Sequence, residues 1–115
     1  MTARVSFICP VHDRPALLRA ALASCLAQTM NDWEAVVVDD HSVDDIEGVV
    51  SSFDDPRIRY FRQTPDFKGV AAARELAIEA AESNILITLD GDDINHPNRA
   101  YRCFETLNED SARVI

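Results

Sequence analysis

Short runs of apolar residues alternate along the chain with longer stretches in which apolar residues recur every three or four positions. A run of about five apolar residues predicts a buried strand, and the longer period predicts a helix with one apolar face. The predicted strands are 5–9, 34–38, 58–62, 85–89 and one that begins at 113. The predicted helices run from 15 to about 28, from a cap at 42 to about 53, from 69 to 83–84, and from 97 to 107.

Strand and helix alternate four times, and this order favours right-handed crossovers and an α/β fold with a mostly parallel sheet and helices on both faces. Two helix starts carry capping signals. Asp13 precedes Pro15 as a predicted N-cap, and Ser42 followed by Asp45 resembles a capping box. The chain stops at 114–115, where an apolar strand would continue, so we expect a piece of a longer protein. A truncated sheet exposes apolar surface, through which we expect homo-oligomers.

Polar residues follow three of the predicted strands at the point where each strand ends. They are His12 and Asp13 after the first strand, Asp39 and Asp40 after the second, and Asp90, Asp92 and Asp93 after the fourth. The carboxyl ends of parallel strands share one edge, which is where ligands bind in open α/β sheets. We therefore expect Asp40 and Asp92 to lie around one cleft.

The acidic segment 90–93 is the most informative of these clusters. Neighbouring carboxylates repel one another, and a divalent cation removes that repulsion. Only Gly91 separates Asp90 from Asp92, so both can direct oxygens at one ion, and hard oxygen ligands suit Mg²⁺ or Mn²⁺. Taken alone, the same residues are also typical of an acidic surface turn.

The charge and the cysteines limit the classes of partner and compartment. The net charge is −9 with no basic run, which argues against nucleic acid and anionic membranes as partners. No apolar stretch approaches the ~20 residues of a membrane span, and the N-terminus lacks the order of a signal peptide. Cys9, Cys25 and Cys103 have no paired metal spacing, and they lie at the end of an apolar strand or on apolar helical stripes. This pattern predicts buried apolar side chains in a reduced, cytoplasmic protein.

Several common site motifs are absent from the sequence. No GxGxxG follows the first strand and no GxxxxGK(S/T) occurs, so neither a dinucleotide-binding fold nor a P-loop protein is indicated. No cysteine and histidine set has zinc spacing, and no serine lies in a nucleophile elbow. The acidic edge therefore remains the candidate site.

Five segments carry a more specific signal. They are 5–15, 26–29, 33–34 with 36–40, 69–74, and 90–93 with the following 96–97. In this order they resemble the family 2 glycosyltransferases of the GT-A fold, and the resemblance covers nearly the whole chain. It implies a Rossmann-like sheet of the GT-A type. It also implies that residues 1–115 form a single domain, the N-terminal nucleotide-sugar-binding part of such an enzyme.

The resemblance also implies the chemistry. A family 2 enzyme transfers a sugar from a nucleotide-diphosphate sugar to an acceptor, here a saccharide or a lipid-linked molecule, with a Mg²⁺ or Mn²⁺ ion. The acceptor site and the catalytic base belong to the second half of the family's pattern. We therefore expect the base beyond Ile115, and we expect the 115-residue chain alone to be inactive. A cytoplasmic protein is expected, with a peripheral membrane location open for the full-length form.

By position, the resemblance assigns roles to individual residues. Asp40 corresponds to the carboxylate that accepts a hydrogen bond from the donor's base, His12 to the ring that packs on that base, and Arg74 to an arginine of the nucleotide pocket. Asp92 corresponds to the direct metal ligand, with Asp90 nearer the sugar or ribose. The implied residues are Pro10, His12, Asp40, Arg74 and Asp90 for the nucleotide sugar, and Asp92 and Asp90 for the metal.

The chain departs from the family's pattern at three positions. His41 stands where the family often has glycine, and Phe67 and Glu75 stand where it often has asparagine. His41 follows Asp40, Glu75 follows Arg74, and Phe67 lies two residues before Gly69, so the departures concern the details of donor contact.

Other interpretations stay open from the residues alone. A phosphoryl-receiver domain would need an acidic pair after the first strand and an aspartate after the third, which here ends in Arg62 and Gln63. A Mg²⁺-dependent phosphatase would place its DxD motif near the first strand and not the fourth. A metal- and nucleotide-binding fragment without catalytic activity is a further alternative.

Overall fold

The structure is a computed structural model that describes residues 3–89, 95–107 and the backbone of 113–114. The strands are β1 (Val5–Val11), β2 (Trp33–Asp39), β3 (Ile58–Arg62), β4 (Ile85–Thr88) and β5 (Arg113–Val114). The helices are α1 (Pro15–Leu26), α2 (Ile46–Ser52), α3 (Val70–Ala80) and α4 (Arg99–Leu107). All the strand pairs are parallel, and the sheet order is β3-β2-β1-β4-β5. The α/β fold with a parallel sheet is confirmed.

Two apolar cores cover the two faces of the sheet. One core joins the sheet to α1, α2 and α4, and the other joins it to α3. Successive residues of β1 alternate between them, with Phe7 and Cys9 in the first core and Ile8 in the second. In α3 the buried positions are Ala73 and Ala77, whose small side chains let this helix lie close to the sheet. Helices on both faces are therefore confirmed.

A buried carboxylate anchors the end of α3 to the sheet. Glu34 on β2 is 3% exposed and accepts hydrogen bonds from the Ser6 hydroxyl, the Arg59 guanidinium and the backbone N–H of Glu82, each at 2.6 Å. These partners come from β1, β3 and the residues after α3. The network holds α3 in register over the strands whose other ends carry the candidate site.

Both predicted caps are wrong. The residue before α1 is Arg14, which has a left-handed backbone and forms no side-chain cap. Helix α2 begins at Ile46, and its cap is Asp45, whose carboxylate accepts from the backbone N–H of Gly48. Asp13 and Ser42 instead form hydrogen bonds between the loop after β1 and the loop after β2, because the fold brings these two loops together.

Several element boundaries also differ from the sequence prediction. Strand β1 continues through Pro10 and Val11, which were expected in a loop, since both pair with the end of β2. Helix α3 ends at Ala80 and helix α4 begins at Arg99, two residues after the proline that was expected to open it. Shifts of one or two residues, as at the start of α4, are common at helix ends.

The prediction that the cysteines are buried is confirmed, since Cys9, Cys25 and Cys103 are all buried and form no disulfide with one another. Burial raises the pKa of the Cys25 thiol to about 12, so this side chain stays protonated and behaves as an apolar group. Among the described residues, no helix is both long and apolar enough to cross a membrane.

Candidate functional site

The carboxyl ends of β2, β1 and β4 lie side by side, because these strands are neighbours in the sheet. Backbone bonds continue the pairing past the strand ends, from Asp40 N–H to the Val11 carbonyl and from Leu89 N–H to the Ile8 carbonyl, each at 2.8 Å. The loops after β1 and β2 therefore begin next to each other. Residues 90–94, which include the predicted ligands Asp90 and Asp92, start directly after Leu89 but lie outside the described residues.

The two adjacent aspartates at the end of β2 have different surroundings. Asp39 is fully buried, and its carboxylate accepts from the Ser42 backbone N–H, the Tyr60 hydroxyl and the Arg62 guanidinium at 2.7–3.0 Å. Burial, together with the bond to Asp39, raises the pKa of the Tyr60 hydroxyl to about 12. Asp39 therefore organises the loop after β2, a role that the sequence did not indicate.

Asp40 is half-buried and connects β2 to the start of α3. Both of its carboxylate oxygens lie 3.0 Å from the backbone nitrogen of Gly69, the residue before α3. Gly69 has a φ of 96°, a left-handed backbone that glycine adopts without steric penalty. Arg74 lies in the second turn of the same helix and is half-buried.

His12 is exposed, and its ring is held against the same loop. Its Nδ1–H donates to the backbone carbonyl of Asp40 at 2.6 Å, and its Nε2 lies 3.4 Å from a carboxylate oxygen of Asp13. The bond to the Asp40 carbonyl, followed by the negative charge of Asp13, raises the pKa of His12 above its ordinary value of 6.5. The structure thus brings His12 and Asp40 into contact, while Pro10 is buried in β1 two residues before His12.

The loops after β1 and β2 are joined by Asp13 and Ser42. One carboxylate oxygen of Asp13 accepts from the backbone N–H groups of Val43 and Asp44, and the Asp13 N–H donates to the Ser42 hydroxyl. The bonds from Asp44 and Val43 lower the pKa of Asp13. This pairing replaces the helix caps that the sequence predicted for both residues, and it fixes the base of the candidate site.

His41, one of the departures from the family's pattern, has a φ of 56°. This left-handed backbone explains why glycine suits the position. In this chain the His41 Nε2–H instead donates to the backbone carbonyl of Phe67 at 2.8 Å. The histidine therefore joins the loop after β2 to the loop that precedes α3.

A polar network holds both flanks of residues 90–94. The Arg99 guanidinium donates to the Thr88 carbonyl at 2.9 Å and to the Asn95 side-chain oxygen at 2.7 Å. Asn95 is buried and donates through its backbone and side-chain nitrogens to the Ser24 hydroxyl of α1. Gln28 donates to the His96 carbonyl and accepts from the Ala100 N–H. The sequence signal for this network was the family-like segment 26–29, which carried no predicted role.

The metal expectation falls on residues that the structure does not describe. Within residues 3–89 and 95–107, no group of three or more histidine, cysteine, aspartate or glutamate side chains is arranged to hold a metal ion. A metal at this edge would therefore depend on Asp90 and Asp92, whose oxygens are of the kind that Mg²⁺ and Mn²⁺ prefer.

We expect the substitution Asp13→Asn to lower the pKa of His12. An asparagine oxygen can still accept from the N–H groups of Val43 and Asp44, so the loops stay joined, but the negative charge near Nε2 is lost. A proton NMR titration of the His12 ring measures the change, and the unaltered protein is the control. Since the folded state raises this pKa, the contribution of His12 to stability is full below pH ~6.5 and is lost as pH rises through the folded pKa. A His12 pKa that does not fall in the variant would contradict this account.

The chain matches known glycosyltransferases in sequence and in fold. Residues 6–115 match the family described as Glycosyl transferase family 2. The chain is 37% identical over 91 residues to the Escherichia coli protein WfgD, described as a UDP-Glc:alpha-D-GlcNAc-diphosphoundecaprenol beta-1,3-glucosyltransferase; the match covers 78% of the chain and 35% of WfgD. The chain spans only 16% to 35% of the length of the first curated relatives that it matches.

Two solved structures have the same fold. S. aureus TarS, residues 1–349, superposes with a TM-score of 0.83 at 21% identity, over 91% of this chain and 32% of TarS. The mannosyltransferase PcManGT from Pyrobaculum calidifontis, in complex with GDP-Man and Mn²⁺, superposes with a TM-score of 0.73 at 26% identity, over 90% of this chain and 31% of PcManGT. The family match favours a glycosyltransferase over the phosphoryl-receiver and phosphatase alternatives, and the chain belongs to glycosyl transferase family 2.

Proposed function

We propose that this chain is the donor-binding part of a glycosyltransferase, and that it binds a nucleotide-diphosphate sugar at the carboxyl edge of its sheet. The observation that carries the proposal is the contact between His12 and Asp40, which directly follow the neighbouring strands β1 and β2 at the carboxyl edge of the sheet. An α/β sheet binds ligands at this edge. Membership of the family gives the class of reaction.

Asp40 and His12 are the proposed contacts for the base of the donor. The Asp40 carboxylate accepts one N–H from Gly69, and a carboxylate has about four acceptor positions, so it can also accept an N–H from a base. The His12 ring is exposed and oriented by its bond to the Asp40 carbonyl, so one face can pack on the same base. Pro10 and Arg74 complete the proposed nucleotide pocket from β1 and α3.

Asp92 and Asp90 are the proposed residues that hold a divalent cation. A bound ion of this kind neutralises the charge that develops on a leaving diphosphate. The complex of PcManGT with GDP-Man and Mn²⁺ supports Mn²⁺ as the ion. The role of the described residues is to fix where this segment begins and ends, through Arg99 on both flanks and Ser24 under Asn95.

The proposed acceptor is a saccharide carried on a lipid diphosphate. WfgD acts on such a molecule, as its description states, and it is 37% identical to this chain. The negative charge of the chain, −9, makes nucleic acid an unsuitable partner.

Thermal stabilisation by nucleotide sugars tests the proposal. We expect one nucleotide-diphosphate sugar from a panel of UDP- and GDP-sugars to raise the melting temperature with Mn²⁺ present. At ~100 times its dissociation constant, a ligand adds about 2.7 kcal/mol to the free energy of unfolding. The same panel with a chelator is the control. Stabilisation by no member of the panel beyond the effect of Mn²⁺ itself would contradict the proposed function.

A further inference from the structure

The ring of His12 lies between two groups that can only accept a hydrogen bond. Its Nδ1 is 2.6 Å from the backbone carbonyl oxygen of Asp40, and its Nε2 is 3.4 Å from a carboxylate oxygen of Asp13. A neutral imidazole carries a single N–H, so in either tautomer one ring nitrogen turns a lone pair toward an oxygen. Only the imidazolium, which has an N–H on both nitrogens, satisfies both contacts.

Deprotonation therefore weakens the hold on the ring. The tautomer with the proton on Nδ1 keeps the short bond to the Asp40 carbonyl, but its Nε2 lone pair then faces the Asp13 carboxylate. The N–H groups of Asp44 and Val43 lower the pKa of Asp13, so this carboxylate stays ionised at neutral pH. Lone pair and carboxylate repel each other, and the neutral ring is free to turn away from Asp13.

The charges around the ring all favour the imidazolium. They are the carboxylates of Asp13 in the same loop and of Asp40 and Asp39 at the end of β2. The bond to the Asp40 carbonyl raises the pKa of His12 above its ordinary value of 6.5, and the three carboxylate charges act in the same direction. The ring therefore changes its charge near neutral pH.

We propose that the site binds its donor more tightly when His12 is protonated, so that donor affinity falls as pH rises above neutrality. The inference rests on the proposed function, in which one face of the His12 ring packs on the base of the donor. The imidazolium holds that face in place before the ligand arrives, whereas the neutral ring must be ordered at a cost in affinity. The positive charge also favours a ligand that carries a diphosphate.

Calorimetric titration of the unaltered protein with UDP-glucose and with GDP-mannose, both with Mn²⁺ present, tests the proposal. These donors keep their charge between about pH 6 and about pH 8, whereas the terminal phosphate of UDP or GDP has a second pKa of about 6. For a donor that binds, we expect the dissociation constant to rise about two- to fivefold over this range, the size of one exposed ionic contact.

The outcomes separate this inference from the proposed function. A dissociation constant that is the same at both ends of the range, or smaller at the higher pH, overturns the inference and leaves the proposed function standing. Binding of neither donor at any pH overturns both.

Three substitutions assign the effect to His12. His12→Phe keeps an aromatic face without a titrating group, and its affinity should not change with pH. Asp13→Asn places an amide that can donate to the neutral ring near Nε2, while its oxygen still accepts from the loop after β2, so its affinity should also vary little. Asp44→Asn is the matched control and should keep the full pH dependence, since it removes an exposed carboxylate of that loop that is not among the charges acting on His12. A pH dependence that persists in His12→Phe belongs to another group, such as His41, and overturns the proposal.

A second measurement does not depend on calorimetry. Coupling between two binding events is reciprocal, so a donor that prefers the imidazolium must raise the pKa of His12 when it binds. Proton NMR titration of the His12 ring, with and without a saturating donor, measures this change. A His12 pKa that stays constant or falls on binding contradicts the proposal.

Discussion

Replacing Asp39 with alanine should lower the free energy of unfolding by about 2–4 kcal/mol, because each buried donor left without an acceptor costs about 1–3 kcal/mol. The Ser42 N–H and the Tyr60 hydroxyl would both lose the acceptor that they share. Arg62 adds less to the loss, since its side chain is about half exposed and can be rehydrated. The loop after β2 would therefore lose its organising contact.

The matched substitution Asp40→Ala should cost much less. Its half-buried carboxylate accepts only the Gly69 N–H among the bonds described here, and one such hydrogen bond is worth about 0.5–1.5 kcal/mol. Urea denaturation of the two variants and the unaltered protein, followed by far-UV circular dichroism, measures the difference. Equal losses in the two variants would show that Asp39 is no more important to the fold than its neighbour.

The sequence was sufficient to predict the sheet and the helices, and it also indicated the edge of the sheet at which we propose the site. These features follow from local periodicity, and the buried faces of β1 and α3 have the expected alternation and spacing. The order of the strands also placed β1, β2 and β4 together, as the expected cleft requires. The position of Asp92 within that cleft stays a prediction, because it lies outside the described residues.

The roles of individual polar residues were harder to predict, since their partners are distant in the sequence. Asp13 has the residue type and position of a helix cap, but its acceptor oxygen binds two N–H groups of another loop. Asp39 and Asp40 are identical in type and adjacent, and only the contacts of β3 and α3 distinguish them. Local patterns give no information about such tertiary bonds, which decide the functions of these residues.

The substitutions Asp92→Asn and Asp40→Asn should weaken nucleotide binding in different ways. If Asp92 coordinates the ion directly, its loss should reduce the affinity for UDP or GDP about tenfold or more when Mn²⁺ is present. Even the groups that only hydrogen-bond to a metal-coordinating side chain typically contribute 10–100-fold to metal affinity. Without Mn²⁺ the same variant should bind no more weakly than the unaltered protein. Removing a negative charge near the diphosphate does not weaken an interaction that the charge itself opposes.

Asp40→Asn should instead weaken binding with and without Mn²⁺, because the proposed partner of Asp40 is the base and not the phosphates. Isothermal titration calorimetry of both variants, with Mn²⁺ and with a chelator, separates the two effects. Asp54→Asn is the matched control, since Asp54 is exposed in the turn before β3, at the opposite edge of the sheet. If both variants lose the same affinity, and only when Mn²⁺ is present, then Asp40 acts at the metal site and the proposed division of roles is wrong.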